Sequence, residues 1–98
     1  MRYVFEWDPA KDRSNQAKHG VGFRQSTPVF RDPLAVSLYD EDHSIDEDRW
    51  ITVGLADRGA LLVVGHTFHR VDAEYTIVRL FSARRATRLE RRQYEEGT

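Results

Sequence analysis

The sequence predicts an α+β domain: an antiparallel sheet of four or five strands, with two N-terminal helices on one face and a basic helix at the C-terminus. Three observations support this fold class. The second half of the chain alternates apolar and polar residues in segments joined by short turns. Strong helix start and stop signals bracket residues 9–18, and the last part of the chain is arginine-rich and compatible with a helix. Because 98 residues suit one folding unit, we expect residues 1–98 to form a single domain.

The N-terminal third predicts one strand followed by helices. Residues 3–7 alternate weakly, as a short strand does. Asp8 can cap a helix that has proline at its first position, and Gly20 is suited to end it. We therefore expect a helix over residues 9–18, and a second, short helix that begins near Gly22.

Four further strands are predicted along the rest of the chain. They cover residues 34–39, 50–56, 61–68 and 74–82. Residues 57–59 read Asp-Arg-Gly, which favours a tight hairpin turn and an antiparallel pair of strands. Residues 40–48 carry six acids in nine positions, so we expect a mobile, solvated loop without a bound metal. Its like charges repel one another, and no regular ligand spacing is evident.

The last predicted strand carries an unusual arginine. Arg79 shares its strand face with Tyr75, Ile77 and Phe81, while the residues between them point to the opposite face. An arginine on such a face needs a carboxylate partner, a wet concave surface or a phosphate. This strand therefore carries most of the functional interpretation.

After this strand the chain is expected to turn at residues 82–83 into a helix over residues 84–95. The arginines that would share one side of that helix are Arg84, Arg88 and Arg91. Six of the fifteen basic residues are arginines between positions 79 and 92. One interpretation is a solvated charged surface with internal pairing to Glu90; the other is a phosphate-binding patch, since guanidinium groups match phosphate oxygens.

Composition narrows the function classes. The formal net charge is −1, yet residues 79–98 carry six arginines against three glutamates, which favours a local anion site over general stickiness. There is no cysteine, and no apolar run is long enough to span a membrane, so we expect a cytoplasmic protein without disulfides. No P-loop, dinucleotide-binding or zinc-protease motif is present, and no cofactor is expected.

The histidines leave alternatives open. His66 lies in the middle of a predicted strand, where a structural role is the more common outcome. Beside Arg79 on the neighbouring strand it could instead act as a general acid or base. His43 lies in the acidic loop, where we expect solvation rather than a metal site, and His19 is expected to cap or pack near the end of the first helix.

An ordered set of short segments resembles the BrnT toxin family and covers nearly the whole chain. The segments are DPAK at residues 8–11, KHGV at 18–21, VF and DP at 29–33, EDHS at 41–44 with Arg49, RG and LLVV with HT at 58–67, and SARRAT with Glu90 at 82–90. The second-helix segment, GFRQSTPVF, departs from the more helical segment usual in the family, so we expect that helix to be short or bent.

The resemblance implies a toxin of a type II toxin–antitoxin pair with a RelE-like fold. Such a toxin cleaves RNA and thereby inhibits translation and growth. It implies a BrnA-like antitoxin with a ribbon-helix-helix domain, a 2:2 complex, and repression of the pair's own promoter, with operator DNA bound only through the antitoxin.

RNA cleavage without a metal needs a base, an acid and cations that stabilise the charged phosphorane. The residues expected to do this are Arg79 and Arg84 as phosphate clamps, with His66 or Glu90 moving the proton. The residues expected to bind RNA are Arg85, Arg88, Arg91 and Tyr75. The competing hypotheses are a non-enzymatic module that docks nucleic acid or an acidic protein through the basic patch, and a structural partner that helps a repressor bind DNA.

Overall fold

A computed structural model describes residues 2–97, which form a five-stranded sheet with helices. The strands are β1 Arg2–Glu6, β2 Val36–Tyr39, β3 Trp50–Leu55, β4 Leu61–Arg70 and β5 Tyr75–Arg85. The helices are α1 Pro9–His19, α2 Phe23–Ser26 and α3 Arg88–Glu96. Short 3-10 segments cover Thr27–Arg31, Glu41–His43 and Asp57–Gly59.

The sheet is mixed, with strand order β1-β5-β4-β3-β2. Strands β2 to β5 form the predicted antiparallel meander, but β1 pairs with β5 in parallel. The expectation of a wholly antiparallel sheet is therefore wrong at this edge. Alternation reveals a strand but not its direction, and only a tight turn between consecutive strands forces an antiparallel pair. Strand β1 has no such turn, because it runs directly into α1.

Local signals place α1 where the sequence predicts it. The Asp8 carboxylate accepts a hydrogen bond from the backbone N–H of Ala10 at 2.9 Å, and Gly20 ends the helix in the left-handed conformation with φ 70°. The buried Asn15 side chain joins α1 to β5, since its amide nitrogen donates to the Ala83 carbonyl at 2.7 Å and its oxygen accepts from the Ala83 N–H at 3.1 Å. Helix α2 is only four residues long before it tightens into the 3-10 segment, as the departure of this segment suggests.

The C-terminal half of β5 differs from the prediction. The strand does not turn into a helix at residues 82–83 but continues to Arg85, because the ten-residue β4 offers pairing partners that far. Helix α3 begins later, where Thr87 accepts from the Glu90 N–H and the Glu90 carboxylate accepts from the Thr87 N–H. Arg84 and Arg85 are therefore strand residues, and the predicted helical stripe of arginines is broken at its first member.

A bulge at Phe81 sets which way the end of β5 faces. His66 pairs with Leu80 and Gly65 with Ser82, so Phe81 is an extra residue in the ladder. Beyond the bulge the alternation shifts by one residue. Arg84 thereby pairs with Val63, whereas regular alternation from Arg79 would have turned it to the other face.

The two faces of the sheet are covered differently. The main core lies on one face, where Val64, Val78 and Leu80 pack against Phe23 and Val29 of the helical layer. On the other face a smaller cluster of Val53, Leu61 and Val63 is partly covered by Ala86 and Tyr94 around α3. We call the rest of this second face, which carries Arg79 and Arg84, the open face.

Candidate anion site on the open face of the sheet

Arginines from separate elements meet on the open face. Arg79 pairs across the ladder with Thr67 of β4, and Arg84 pairs with Val63 of the same strand. Arg49 immediately precedes β3, and its guanidinium carbon lies 4.4 Å from the centroid of the Phe81 ring in a cation–π contact. The fold thus brings three guanidinium groups to a surface that the helices leave uncovered.

An internal carboxylate occupies the space between two of these groups. A guanidinium nitrogen of Arg79 donates to Glu47, and the same Glu47 oxygen lies 3.6 Å from Arg49 Nη2. The side chains of Arg79 and Glu47 are 43% and 38% exposed, so solvent screens their pairing. A carboxylate that contacts two guanidinium groups takes the position that a phosphate oxygen could take in its place.

Arg84 has a tighter partner. Its two terminal nitrogens donate to the two Glu90 oxygens at 2.8 and 2.9 Å, and Glu90 Oε1 also accepts from the Thr87 N–H at 2.8 Å. The hydrogen bonds from Arg84 are the main reason that the pKa of Glu90 falls to about 2. A carboxylate held ionised so firmly is a weak base at neutral pH. Glu90 therefore positions Arg84 and starts α3.

A cleft of about 350 Å³ lies on the open face. Arg49, Phe81 and Arg84 line it together with His43 of the acidic loop and His19 at the end of α1. Gly65 also lines the cleft: a Cβ atom there would collide with the Ser82 hydroxyl and lie 2.8 Å from the Phe81 ring. Glycine is thus required where the bulge crosses β4.

A second cleft of about 370 Å³ adjoins the first across Glu47. Arg79 and Thr67 line it, together with Glu6 of the edge strand and Ile77. Glu47 lies at the boundary, since it contacts Arg79 in the second cleft and lies close to Arg49 in the first. The two clefts form a track along the open face with arginines in both parts.

The structure does not bring His66 to this surface. His66 is fully buried on the helix-covered face, where Nε2 lies 2.6 Å from the Thr52 hydroxyl and its ring packs 4.7 Å from that of Phe30. Burial lowers the pKa of His66 to about 4. Its ladder partner is Leu80 and not Arg79, so the arrangement in which it could exchange protons with substrate is absent.

The residues predicted to bind RNA are scattered. Tyr75 lies on the same face as Arg79, with the Arg2 guanidinium carbon 5.8 Å from its ring. Arg88 and Arg91 are exposed on α3. Arg85 pairs with the core residue Leu62 and lines a different cleft beside Arg58 and Val21, on the opposite face from Arg84.

Sequence reasoning missed the contribution of the acidic loop. Its base is closed by hydrogen bonds from the Asp40 N–H to the Arg49 carbonyl and from the Arg49 N–H to the Ser44 hydroxyl, each at 2.9 Å. This closure places Glu47 and His43 beside the arginines of the sheet. Four of the six acids are exposed, as expected of a solvated loop, but Asp40 and Glu47 are half-buried and contact His43 and Arg79. The charge complementarity between the loop and the arginine-rich segment was the available signal for the second contact.

No helix among residues 2–97 combines the length and the apolar character that crossing a membrane requires.

Two comparisons with known proteins found matches to this chain. The family model for "Ribonuclease toxin, BrnT, of type II toxin-antitoxin system" matches residues 7–90. The crystal structure of the Brucella abortus ribonuclease toxin BrnT is similar in fold, with a TM-score of 0.59 and 21% sequence identity over 90% of this chain and 100% of that chain. None of the curated proteins searched matches this chain.

Proposed function

We propose that this chain, which belongs to the BrnT family of ribonuclease toxins of type II toxin–antitoxin systems, cleaves RNA. In this proposal the phosphodiester is held against the arginines of the open face. The observation that carries this proposal is the position of Glu47. Its carboxylate contacts Arg79 and lies 3.6 Å from Arg49, so the protein already places an anion between two guanidinium groups. A phosphate offers more charge and more acceptor oxygens than a carboxylate does, and can take that position.

The chemistry follows from where the charge develops. Attack on the phosphorus atom builds negative charge on its equatorial oxygens, and preorganised cations lower the free energy of that state. Arg79 and Arg49 supply two guanidinium groups, while Arg84 is held in place by both oxygens of Glu90 at the far end of the neighbouring cleft. These guanidinium groups can stabilise the charge that a metal ion would otherwise stabilise, and metal independence is part of the proposal.

An RNA chain that extends beyond the cleaved phosphodiester would continue over the surface outside the clefts. Arg88 and Arg91 lie exposed on α3, next to the element that carries Arg84 and Glu90, and Tyr75 lies along β5 from Arg79. These positions suit backbone phosphates and one stacked base. Arg85 faces away from this track and has no part in the proposed cleavage.

Membership of the family implies an antitoxin partner. We propose a BrnA-like ribbon-helix-helix antitoxin that covers the open face with acidic or apolar residues in a 2:2 complex and brings the toxin to its operator, so that the pair represses its own promoter. The same face would then serve substrate and antitoxin in turn. Free toxin would cut RNA and stop translation, and the complex would not.

The test uses the purified protein and a bulk RNA substrate in the presence of excess chelator. We expect cleavage by the natural protein, and a loss of about 10²–10³ in rate for Arg79→Ala, the typical effect of removing one transition-state donor. Arg92→Ala, which removes an exposed arginine on α3, is the matched control and should cleave at the natural rate. Binding of RNA without cleavage would favour the non-enzymatic binding module, and cleavage that stops with chelator would refute metal independence.

A further inference from the structure

We infer that His43, oriented by Asp40, is the general base of the cleavage step, and that His19 on the same cleft is the general acid. The inference rests on the proposed function, because both roles concern the phosphodiester held on the open face. It assigns the two proton transfers to histidines that the sequence alone does not mark as catalytic. Three features of the site support these roles: the way His43 is held, the groups that share its cleft, and the positions of the other titratable groups.

Asp40 holds the imidazole of His43 in one orientation. His43 Nδ1 lies 2.9 Å from Asp40 Oδ2, and the two side chains are 68% and 15% exposed, so a shielded carboxylate supports an accessible ring. When Nδ1 donates its proton to the carboxylate, Nε2 is left as the nitrogen that can accept a proton from substrate. Asp40 is itself fixed, since its N–H donates to the Arg49 carbonyl and its carbonyl accepts from the Ser44 hydroxyl.

The cleft that His43 lines also contains two of the three guanidinium groups assigned to the reaction, while the third, Arg79, lines the second cleft. Arg49 and Arg84 line the same space, and His19 contributes from the end of α1. Gly20 turns the chain in the left-handed conformation directly after His19, which ends the helix at the cleft. Two histidines and two guanidinium groups therefore surround one cavity of about 350 Å³, which is large enough for a phosphodiester linkage.

The other titratable groups near the arginines are either engaged or line the second cleft, as Glu6, Asp48 and His69 do. Glu90 is paired with Arg84, Glu47 contacts Arg79, and His66 is buried on the opposite face. The charged and titratable groups that face His43 come from three further directions and from its own loop. They are Arg49 before β3, Arg84 of β5, His19 of α1, and Asp40, Asp42, Asp46 and Glu47 of the loop.

The step balances without any further reactant. His43 Nε2 takes the proton of the ribose 2′-hydroxyl as that oxygen forms a bond to phosphorus. The bond between phosphorus and the 5′ oxygen breaks, and the leaving oxygen takes a proton from protonated His19. The products are a 2′,3′-cyclic phosphate and a 5′-hydroxyl, and exchange of protons with water returns both histidines to their starting states.

The two roles are separated by two substrates. A ribonucleoside 3′-(4-nitrophenyl phosphate) has a leaving group that departs without protonation, whereas a dinucleotide does not. We expect His43→Gln to lower the rate on both substrates by about 10²–10⁴, the usual contribution of general acid–base catalysis. His19→Gln should lose a similar factor on the dinucleotide and stay close to the natural rate on the nitrophenyl ester.

The pH dependence of dinucleotide cleavage supplies a second readout. The natural protein should show a bell, because a base must be unprotonated and an acid protonated. His43→Gln should lose the limb that rises with pH, and His19→Gln the limb that falls. Asp40→Asn should slow both substrates and alter the rising limb. Asp57→Asn, the same charge change at the exposed turn before β4 on the opposite face, should leave rate and profile unchanged.

The outcomes distinguish this inference from the function on which it rests. If the natural protein cleaves neither of these substrates and does not cleave bulk RNA, the proposed function fails. If it cleaves both, and folded His43→Gln and His19→Gln variants keep its rates and its pH profile, the assignment of the histidines is overturned while the function stands. Equal losses for His19→Gln on both substrates would refute its role as the acid, and thermal melts of each variant establish that it is folded.

Discussion

The proposed function makes Glu47 an internal competitor for the anion site, and replacing Glu47 tests that idea directly. In Glu47→Gln the side chain keeps its size but loses the charge that faces Arg79 and Arg49. Both guanidinium groups are then free to bind an incoming phosphate without first losing a charged partner. We expect tighter binding of RNA and a lower KM. The value of kcat should not change, because the contact of Glu47 with the arginines already breaks when RNA binds, before the chemical step begins.

The structure limits the size of this effect. The Arg79 and Glu47 side chains are 43% and 38% exposed, and exposed ion pairs contribute about 0.2–1 kcal/mol. Removing a competitor of that strength tightens binding by at most about fivefold, since 1.4 kcal/mol corresponds to tenfold. The free energy of unfolding should fall by less than about 1 kcal/mol for the same reason.

The assay is a binding titration with a short 2′-O-methyl oligonucleotide, which cannot be cleaved, at several salt concentrations. Asp46→Asn removes the same charge from the same loop and is the matched control for long-range repulsion. The difference between the two variants reports on the contact with Arg79, and it should shrink as salt rises. Equal affinities for Glu47→Gln and Asp46→Asn, or weaker binding by Glu47→Gln than by the natural protein, would refute the competition.

Three further predictions concern Arg79, Gly65 and Glu90. Arg79→Ala should lower kcat/KM on RNA by about 10²–10³ while changing the free energy of unfolding by less than about 1 kcal/mol, because its ion pair is exposed; a stable variant that cuts at the natural rate would contradict this. Gly65→Ala should destabilise the protein by about 1–3 kcal/mol in chemical denaturation, because its Cβ atom would overlap the bulge; natural stability would show that the bulge can shift. The pKa of Glu90 is about 2 when folded against an ordinary value of 4.5, so its pairing with Arg84 stabilises the protein above pH 4.5 and is lost as the pH falls toward 2. Because both groups are partly exposed, Glu90→Gln should be less stable than the natural protein by about 1 kcal/mol at neutral pH. In thermal melts this difference in stability should disappear as the pH falls from 4.5 toward 2. A difference that does not depend on pH would contradict the prediction.

Local signals in the sequence were sufficient for most of the fold. The cap at Asp8 and the left-handed Gly20 act within one turn of the chain, and so does the turn before β4, where Arg58 has a positive φ of 64°. Such features are decided by neighbouring residues. The parallel edge strand was missed because β1 pairs with β5 across seventy residues of chain, and nothing in the short β1 segment encodes that direction.

The site was only partly visible for a related reason. Alternation correctly placed Arg79 on a face with Phe81, but the position of Arg84 depends on a bulge that forms between β4 and β5. Bulges arise from the pairing of two strands, and the sequence of one strand does not display them. His43 does lie in a solvated loop, as expected, but its contact with Asp40 and its place on the cleft that Arg84 lines depend on how the loop closes over the sheet.

The fold pairs much of the arginine-rich segment with carboxylates of the same chain. This segment does not face solvent as a bare cationic patch, because Glu47 and Glu90 contact Arg79 and Arg84 from inside the same molecule. An isolated anion must displace such a carboxylate to bind and gains little in the exchange. A polyanion that contacts both clefts at once pays for the displacement through many contacts, so the internal pairs favour a long nucleic acid chain over single phosphates. An acidic antitoxin segment would meet the same requirement, which is consistent with the proposal that RNA and antitoxin use one surface in turn.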